Sequence, residues 1–331
     1  MFIVLILIHE FGHFITAKMF KIKVNEFAIG FGPKLIKKQG KETLYSINLI
    51  PFGGYCAMEG EDNESTEPRA FCNAKAWKRF IVVAAGAVFN LILGLILVCI
   101  IICSQPLVGT TTVAKFDENA VSVNSGLMVG DEITHIDGRR VYTTQDVAYA
   151  FTAVEDGKID LVVKRDGKKV VLNDVTFLTE SEDGINYIAL DFKFLGERKN
   201  VLNVLETTFK TTFSYCRIVV FSLIDLISGR FGISAVSGPV GVTATIGKAA
   251  KMGIMNILPI MALITVNLGV FNLLPIPALD GGRLVFIFLE MILRRPVAKK
   301  YEGIIHAIGL ILLLSIMVLI TFKDIRSLIT G

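Results

Sequence analysis

His9 and His13 stand four positions apart in the stretch MFIVLILIHEFGHFITAKMF, and Glu10 directly follows the first of them. Side chains four apart on a helix share one face, so both imidazoles can reach a single tetrahedral zinc ion. Glu10 sits beside them without being a ligand, where it can take a proton from a water activated by such a metal. The HExxH spacing alone also fits a helix whose polar residues pair with something else. The setting favours chemistry, because imidazoles and carboxylates are expensive in hydrocarbon and mark sites that face a bundle interior or a wet cavity.

Zinc needs a third protein ligand if its fourth position is to stay open for water. The extension HExxHxxGxxH is absent, since FITAKMF follows His13. The candidate is Asp280 in NLLPIPALDGGRL. Pro275 and Pro277 break a helix there, and Gly281 and Gly282 let the backbone turn, so a carboxylate can be aimed back into the bundle. Taken alone, Asp280 reads equally well as a helix-ending residue at a water interface.

The elements that must position these residues are membrane helices. The chain has 331 residues, of which 53% are hydrophobic, and a mean hydropathy of +0.61, too apolar for an ordinary soluble protein. Apolar runs at 1–20, 80–104, 254–279 and 303–322 each have about the 20 residues that a helix needs to cross a ~30 Å core. No Lys or Arg precedes the apolar part of the first run and no small-residue cleavage pattern follows it, so it reads as a retained helix. The basic residues are spread along the chain and the net charge is +4, which gives no sign of a nucleic-acid partner. Five cysteines without a CxxC pair suggest neither a disulfide framework nor a thiolate metal site.

Between the runs, residues 21–79 alternate in short strands such as KVNEFAIGFG and read as a β-rich loop beside the membrane. Eleven Lys and Arg from Lys18 to Arg79, with more in the loop at 280–302, place both loops on the cytoplasmic side by the positive-inside tendency. Residues 106–195 carry β-branched alternation and the phrase SGLMVGDEITHIDGRRV, which is similar to the PDZ fold and predicts an inserted, extracytoplasmic β-domain. Glu206, Lys210, Arg217 and Asp225 interrupt the next segment too often for a span, so 201–253 reads as an interfacial amphipathic helix followed by a glycine-rich turn. The fold class is thus a polytopic α-helical membrane protein of about four transmembrane helices, with a β-rich loop and a PDZ-like insert. In the second run Gly86, Asn90 and Gly94 recur every four residues, a small face for close helix packing with Asn90 structural. His306 reads as a packed residue and His135 as a strand residue within the PDZ-like phrase.

HEFGHF in the first span, GFGPKL and PFGGY in the following loop, GAVFNLILG in the second span, the PDZ-like insert and NLGVFNLLPIPALDGGR in the third occur in this order. Together they resemble the site-2 protease family of intramembrane zinc metalloproteases, in its RseP/RasP-like bacterial branch with a single PDZ domain, over essentially the whole chain. The family's usual proline after the first glycine of the second span is Ala87 here. The resemblance implies one zinc ion per chain held by His9, His13 and Asp280, with Glu10 as general base. It also implies that Asn267 and Asn272 hold the substrate backbone or a developing oxyanion, a role amide donors can fill; interhelical hydrogen bonding is their other reading.

Further implications are a multi-pass place in the bacterial inner membrane with the active site toward the cytoplasm, and transmembrane protein substrates such as anti-sigma factors or remnant signal peptides. An upstream site-1-type protease would trim these substrates first, with the PDZ domain as size filter. A catalytically inactive relative acting as a PDZ-containing membrane scaffold is the alternative. An ion-coupled carrier using Asp280 is a further one, although no internal repeat is visible.

Overall fold

The computed structural model describes residues 1–152, 154, 156–182, 185–230, 236–295 and 299–330. The readings of 106–195, 201–253 and 280–302 therefore include positions outside the described residues: 153, 155, 183, 184, 231–235 and 296–298. Along the chain come helix α1 (Phe2–Met19), strands β1 (Val24–Gln39) and β2 (Leu44–Met58), and helix α2 (Ala76–Ser104). Strands β3 (Val108–Phe116), β4 (Glu132–Ile136) and β5 (Arg139–Arg140) precede helix α3 (Thr144–Phe151). Strands β6 (Lys158–Arg165), β7 (Lys168–Thr176), β8 (Thr179–Glu182), β9 (Ile185–Ile188) and β10 (Phe192–Glu197) follow. Helices α4 (Val201–Ile227), α5 (Pro239–Lys251), α6 (Ile254–Leu273), α7 (Asp280–Leu293) and α8 (Lys299–Thr330) complete the chain. Among the described residues, four stretches are long and apolar enough to cross a membrane: Phe2–Met19, Ala76–Ser104, Ile254–Leu273 and Lys300–Arg326.

Two compact units form, Met1–Gly94 with Ile260–Gly331, and Leu95–Pro259. In the first, α1 and α2 touch through glycine: a Cβ on Gly12 would stand 2.5 Å from the Ala85 carbonyl oxygen, so only glycine permits this approach. β1 and β2 pair in a way that a simple hairpin does not. Residues 26–29 pair antiparallel with 54–57 and, in parallel register, with 44–47, while 44–48 also pairs with 34–39. The result is four short segments in the order 34–39, 44–48, 26–29, 54–58, with 54–58 at one edge. At the far end Phe31, Leu35, Ile36, Ile47, Leu49 and Ile50 are exposed, an apolar tip that water would not favour.

α6 stops at Leu273 because Pro275 and Pro277 lack the N–H that would continue it. The sequence predicts a loop over 280–302, and the structure instead forms α7 from Asp280 to Leu293. The reason is spacing: Gly281, Leu284 and Ile287 recur at helical intervals, and the last two pack with Val24, Val82 and Met58 in a buried cluster. Arg79 pairs with Glu290 of α7, and Arg283 of α7 pairs with Glu61 and Asp62 after β2.

In the second unit the sheet runs β10, β3, β4, β6, β7, with β5 on β4. Alternation along β6 turns Ile159, Leu161 and Val163 inward, against Val147 and Phe151 of α3 and against Phe177 and Phe192. The side chains of Thr143 and Asp146 cap α3 reciprocally, and Asn200 and Asn203 do the same for α4. The polar side of α4 faces the β-rich layer: Asp225 accepts from both terminal nitrogens of Arg139 (2.7 and 2.5 Å) and from the Tyr149 hydroxyl (2.7 Å), and Ser214 donates to Asp146 (2.7 Å). Leu202, Leu205, Phe209, Val220, Ile224 and Ile227 of the same helix are exposed, so its amphipathicity points its apolar side outward.

Candidate metal centre

His9 and His13 come one turn apart from α1, and Asp280 is the first residue of α7. Asp280 Oδ2 lies 3.1 Å from His9 Nε2 and 3.3 Å from His13 Nε2, and the two Nε2 atoms are 3.2 Å apart. A tetrahedral zinc ion with arms of about 2.0–2.1 Å has its ligand atoms about 3.3 Å apart, so this triangle fits that ion. Asp280 Oδ2 is buried without a hydrogen-bond donor aimed at it among the described residues, which leaves its lone pairs free for a cation. The position at the start of α7 also suits a carboxylate, since the helix dipole is positive there.

The imidazoles are oriented from behind. His13 Nδ1 meets the Val82 carbonyl oxygen at 2.9 Å, and since a carbonyl only accepts, Nδ1 carries the proton and Nε2 presents its lone pair to the centre. His9 Nδ1 meets the side-chain amide of Asn90 at 3.3 Å. With the amide nitrogen on that side, Asn90 Oδ1 is buried without a partner among the described residues. Turning the amide over lets Oδ1 accept from the His9 Nδ1–H, which pairs the ring nitrogen and frees Nε2 for a metal. Gly86, one turn before Asn90, leaves room for the rings: a Cβ there would stand 2.8 Å from His9 Cε1.

Glu10 lines the same cavity, about 580 Å³, together with His9, His13, Asp280, Tyr55, Cys56, Ala57, Met58, Glu61 and Arg283. The 54–58 edge of the β-rich loop thus runs along the wall of the site, and a Cβ on Gly54 would lie 3.6 Å from Glu10 Cγ. Burial, followed by the nearby Glu10 carboxylate, pushes the Cys56 thiol up. Among the described residues, His9, His13 and Asp280 are the group of His, Cys, Asp or Glu side chains placed to hold a metal ion. With zinc in this triangle the site would supply an activated water and a polarised carbonyl, and Glu10 stands free of the triangle to carry protons.

Asn267 is exposed and Asn272 is buried on α6, and neither lines this cavity. Sequence reasoning missed the roles of Val82 and Asn90 behind the histidines. For Asn90 the four-residue spacing from Gly86 was a usable signal, because it puts the amide on the face that meets α1; the Val82 carbonyl had none.

An HExxH helix long and apolar enough to cross a membrane, with a distant aspartate beside its histidines, has the chemistry of a metallopeptidase, and comparison with known proteins gives the same class. The model of peptidase family M50 matches residues 1–316, so the chain belongs to this family, the site-2 proteases, and is a zinc metalloprotease of the membrane. Relatives named "Putative zinc metalloprotease" are 37% identical in Clostridium acetobutylicum, over 97% of this chain and 94% of the relative, and 36% in Clostridium perfringens, over 98% and 96%. The regulator of sigma-W protease RasP of Bacillus subtilis is 27% identical over 98% of this chain and 96% of its own.

Proposed function

We propose that this protein cuts transmembrane segments of other membrane proteins, with His9, His13 and Asp280 holding the zinc ion and Glu10 acting as general base. The observation that carries this is the triangle of ligand atoms at 3.1–3.3 Å, with Glu10 in the same cavity and both histidines inside a helix fit to span a membrane. Glu10 takes the proton of the attacking water and returns it to the departing amine. A substrate helix hides its carbonyls in hydrogen bonds and must unwind locally first. The 54–58 edge offers an unwound segment a strand to pair with, directly beside the site. No step is assigned to Asn267 or Asn272.

In this reading the β-rich loop and the outward apolar side of α4 rest in the membrane interface, which their exposed side chains support. The strand and helix pattern of 106–195 is assigned to a PDZ-like domain on the extracytoplasmic side of the bacterial inner membrane, with the metal centre toward the cytoplasm. The Bacillus subtilis relative is by name a regulator of sigma-W, which supports a membrane-bound anti-sigma factor as substrate class, with signal-peptide remnants second and a site-1-type protease acting first.

The test is cleavage in lipid vesicles. Purified protein should cut a reconstituted transmembrane substrate, lose that activity to a zinc chelator, and spare the same sequence when a strong helix former replaces its helix-breaking residues. Chelator-resistant cleavage would overturn the reading.

A further inference from the structure

The turn that delivers Asp280 contains a residue in an unusual conformation. Ala278 has φ +72°, in the left-handed region where an L side chain crowds its own carbonyl and where alanine, unlike asparagine, has no polar group to compensate. Such a conformation persists only where the surroundings impose it. Here α8 does so. The Ala278 N–H donates to His306 Nδ1 at 2.9 Å, and three residues further along α8 Gly309 lies so close to the turn that a Cβ would stand 2.9 Å from the Pro277 carbonyl carbon. The ring of His306 is itself held, against Phe286 of α7 at 6.0 Å between centroids and over Gly282, where a Cβ would come within 3.1 Å of its Cε1.

Because Nδ1 accepts, the ring proton sits on Nε2, which is buried and has no partner among the described residues. A histidine that only filled space would gain nothing from leaving that donor unsatisfied. We propose that His306 is a positioning residue: by accepting from Ala278 it holds the left-handed turn that aims Asp280 at His9 and His13. The last helix, which supplies no ligand in the triangle, would then set the geometry of one. This inference rests on the reading of Asp280 as a metal ligand.

The experiment measures zinc affinity of the full-length protein in detergent, stripped of metal and titrated against a chromogenic chelator, alongside thermal unfolding. His306→Leu removes the acceptor and should weaken zinc binding about tenfold or more, the range seen when a group behind a metal ligand is lost. His306→Asn places an oxygen near the Nδ1 position and should stay within about threefold of the parent. Adding Ala278→Gly to His306→Leu makes the left-handed turn accessible without its acceptor and should restore most of the affinity.

Unchanged affinity in His306→Leu overturns the proposal. So does a loss that neither the asparagine nor the glycine repairs, or failure of both His306→Leu and its glycine double variant to fold, since packing of the ring would then be what matters. Asp280→Ala is the separate control: if it binds zinc as tightly as the parent, the ligand reading fails rather than the role of His306.

Discussion

The Nδ1 atom of His9 and the side-chain amide of Asn90 meet at 3.3 Å across 81 positions of the chain. The contact ties a ring of the candidate metal centre to α2, and it fixes which ring nitrogen faces that centre once the amide oxygen is the partner. Replacing Asn90 by Leu should therefore weaken zinc binding about tenfold or more, whereas Asn90→Asp keeps an acceptor and should bind at least as well. Chelator competition reads both, and a leucine variant with parental affinity would count against the contact.

Glu10 shares the cavity with the ligand triangle but not the triangle itself. Glu10→Gln should lower the cleavage rate by about 10²-fold or more, the scale of general acid–base catalysis, while zinc content by metal analysis stays at that of the parent. Loss of zinc along with activity would make Glu10 a ligand instead.

Zinc should also stabilise the fold, because its proposed ligands come from α1 and α7. At a free zinc concentration about 100 times Kd the stabilisation is about 2.7 kcal/mol, so the melting temperature of the metal-stripped protein should rise on adding zinc. His13→Ala should abolish the rise. Equal melting with and without zinc would show that the triangle does not bind it.

The 54–58 segment pairs on one side with 26–29 and lines the metal cavity on the other. Tyr55→Pro removes a backbone N–H and should reduce cleavage several-fold with zinc content unchanged. Turnover at the parental rate would remove strand addition from the mechanism.

In the second unit the Arg139 guanidinium, with the Tyr149 hydroxyl, holds the Asp225 carboxyl below the usual carboxylate range. A lowered folded pKa stabilises above the unfolded value of about 3.9, and that contribution is lost as pH falls through the folded value. Between neutral pH and about pH 5 the pair should add a constant increment, and below about pH 4 stability should fall more steeply than in Asp225→Asn. Acid unfolding of both proteins followed by circular dichroism checks this, and parallel acid limbs would contradict it. Arg139→Ala, which leaves the buried carboxylate with the Tyr149 hydroxyl but without its paired guanidinium, should cost about 3 kcal/mol at pH 7.

The apolar runs around His9, Asn90, Asn267 and Gly309 announce their helices directly, because about twenty apolar residues in a row have few other uses. The i, i+4 pair His9 and His13 is equally plain, since both members lie on one local element. What the sequence conceals is non-local or conformational. Nothing in LPIPALDGG states that Ala278 turns left-handed, and the same breakers mask the start of α7, so a helix there reads as a loop. The parallel pairing of 26–29 with 44–47 is hidden too, because alternation shows that strands exist and not which neighbours they choose. His306 carries no motif and Asn90 only a helix-packing one; their partners, Ala278 and His9, lie 28 and 81 positions away.

Asp280 follows His9 by 271 positions, 280 minus 9, so the order of synthesis has a consequence of its own. A ribosome makes the two histidines and the glutamate first, and every nascent chain that stops short of Asp280 lacks the third corner of the triangle. A zinc metalloprotease is thus born without a complete blade, and gains one only once the chain that forms α7 has been made.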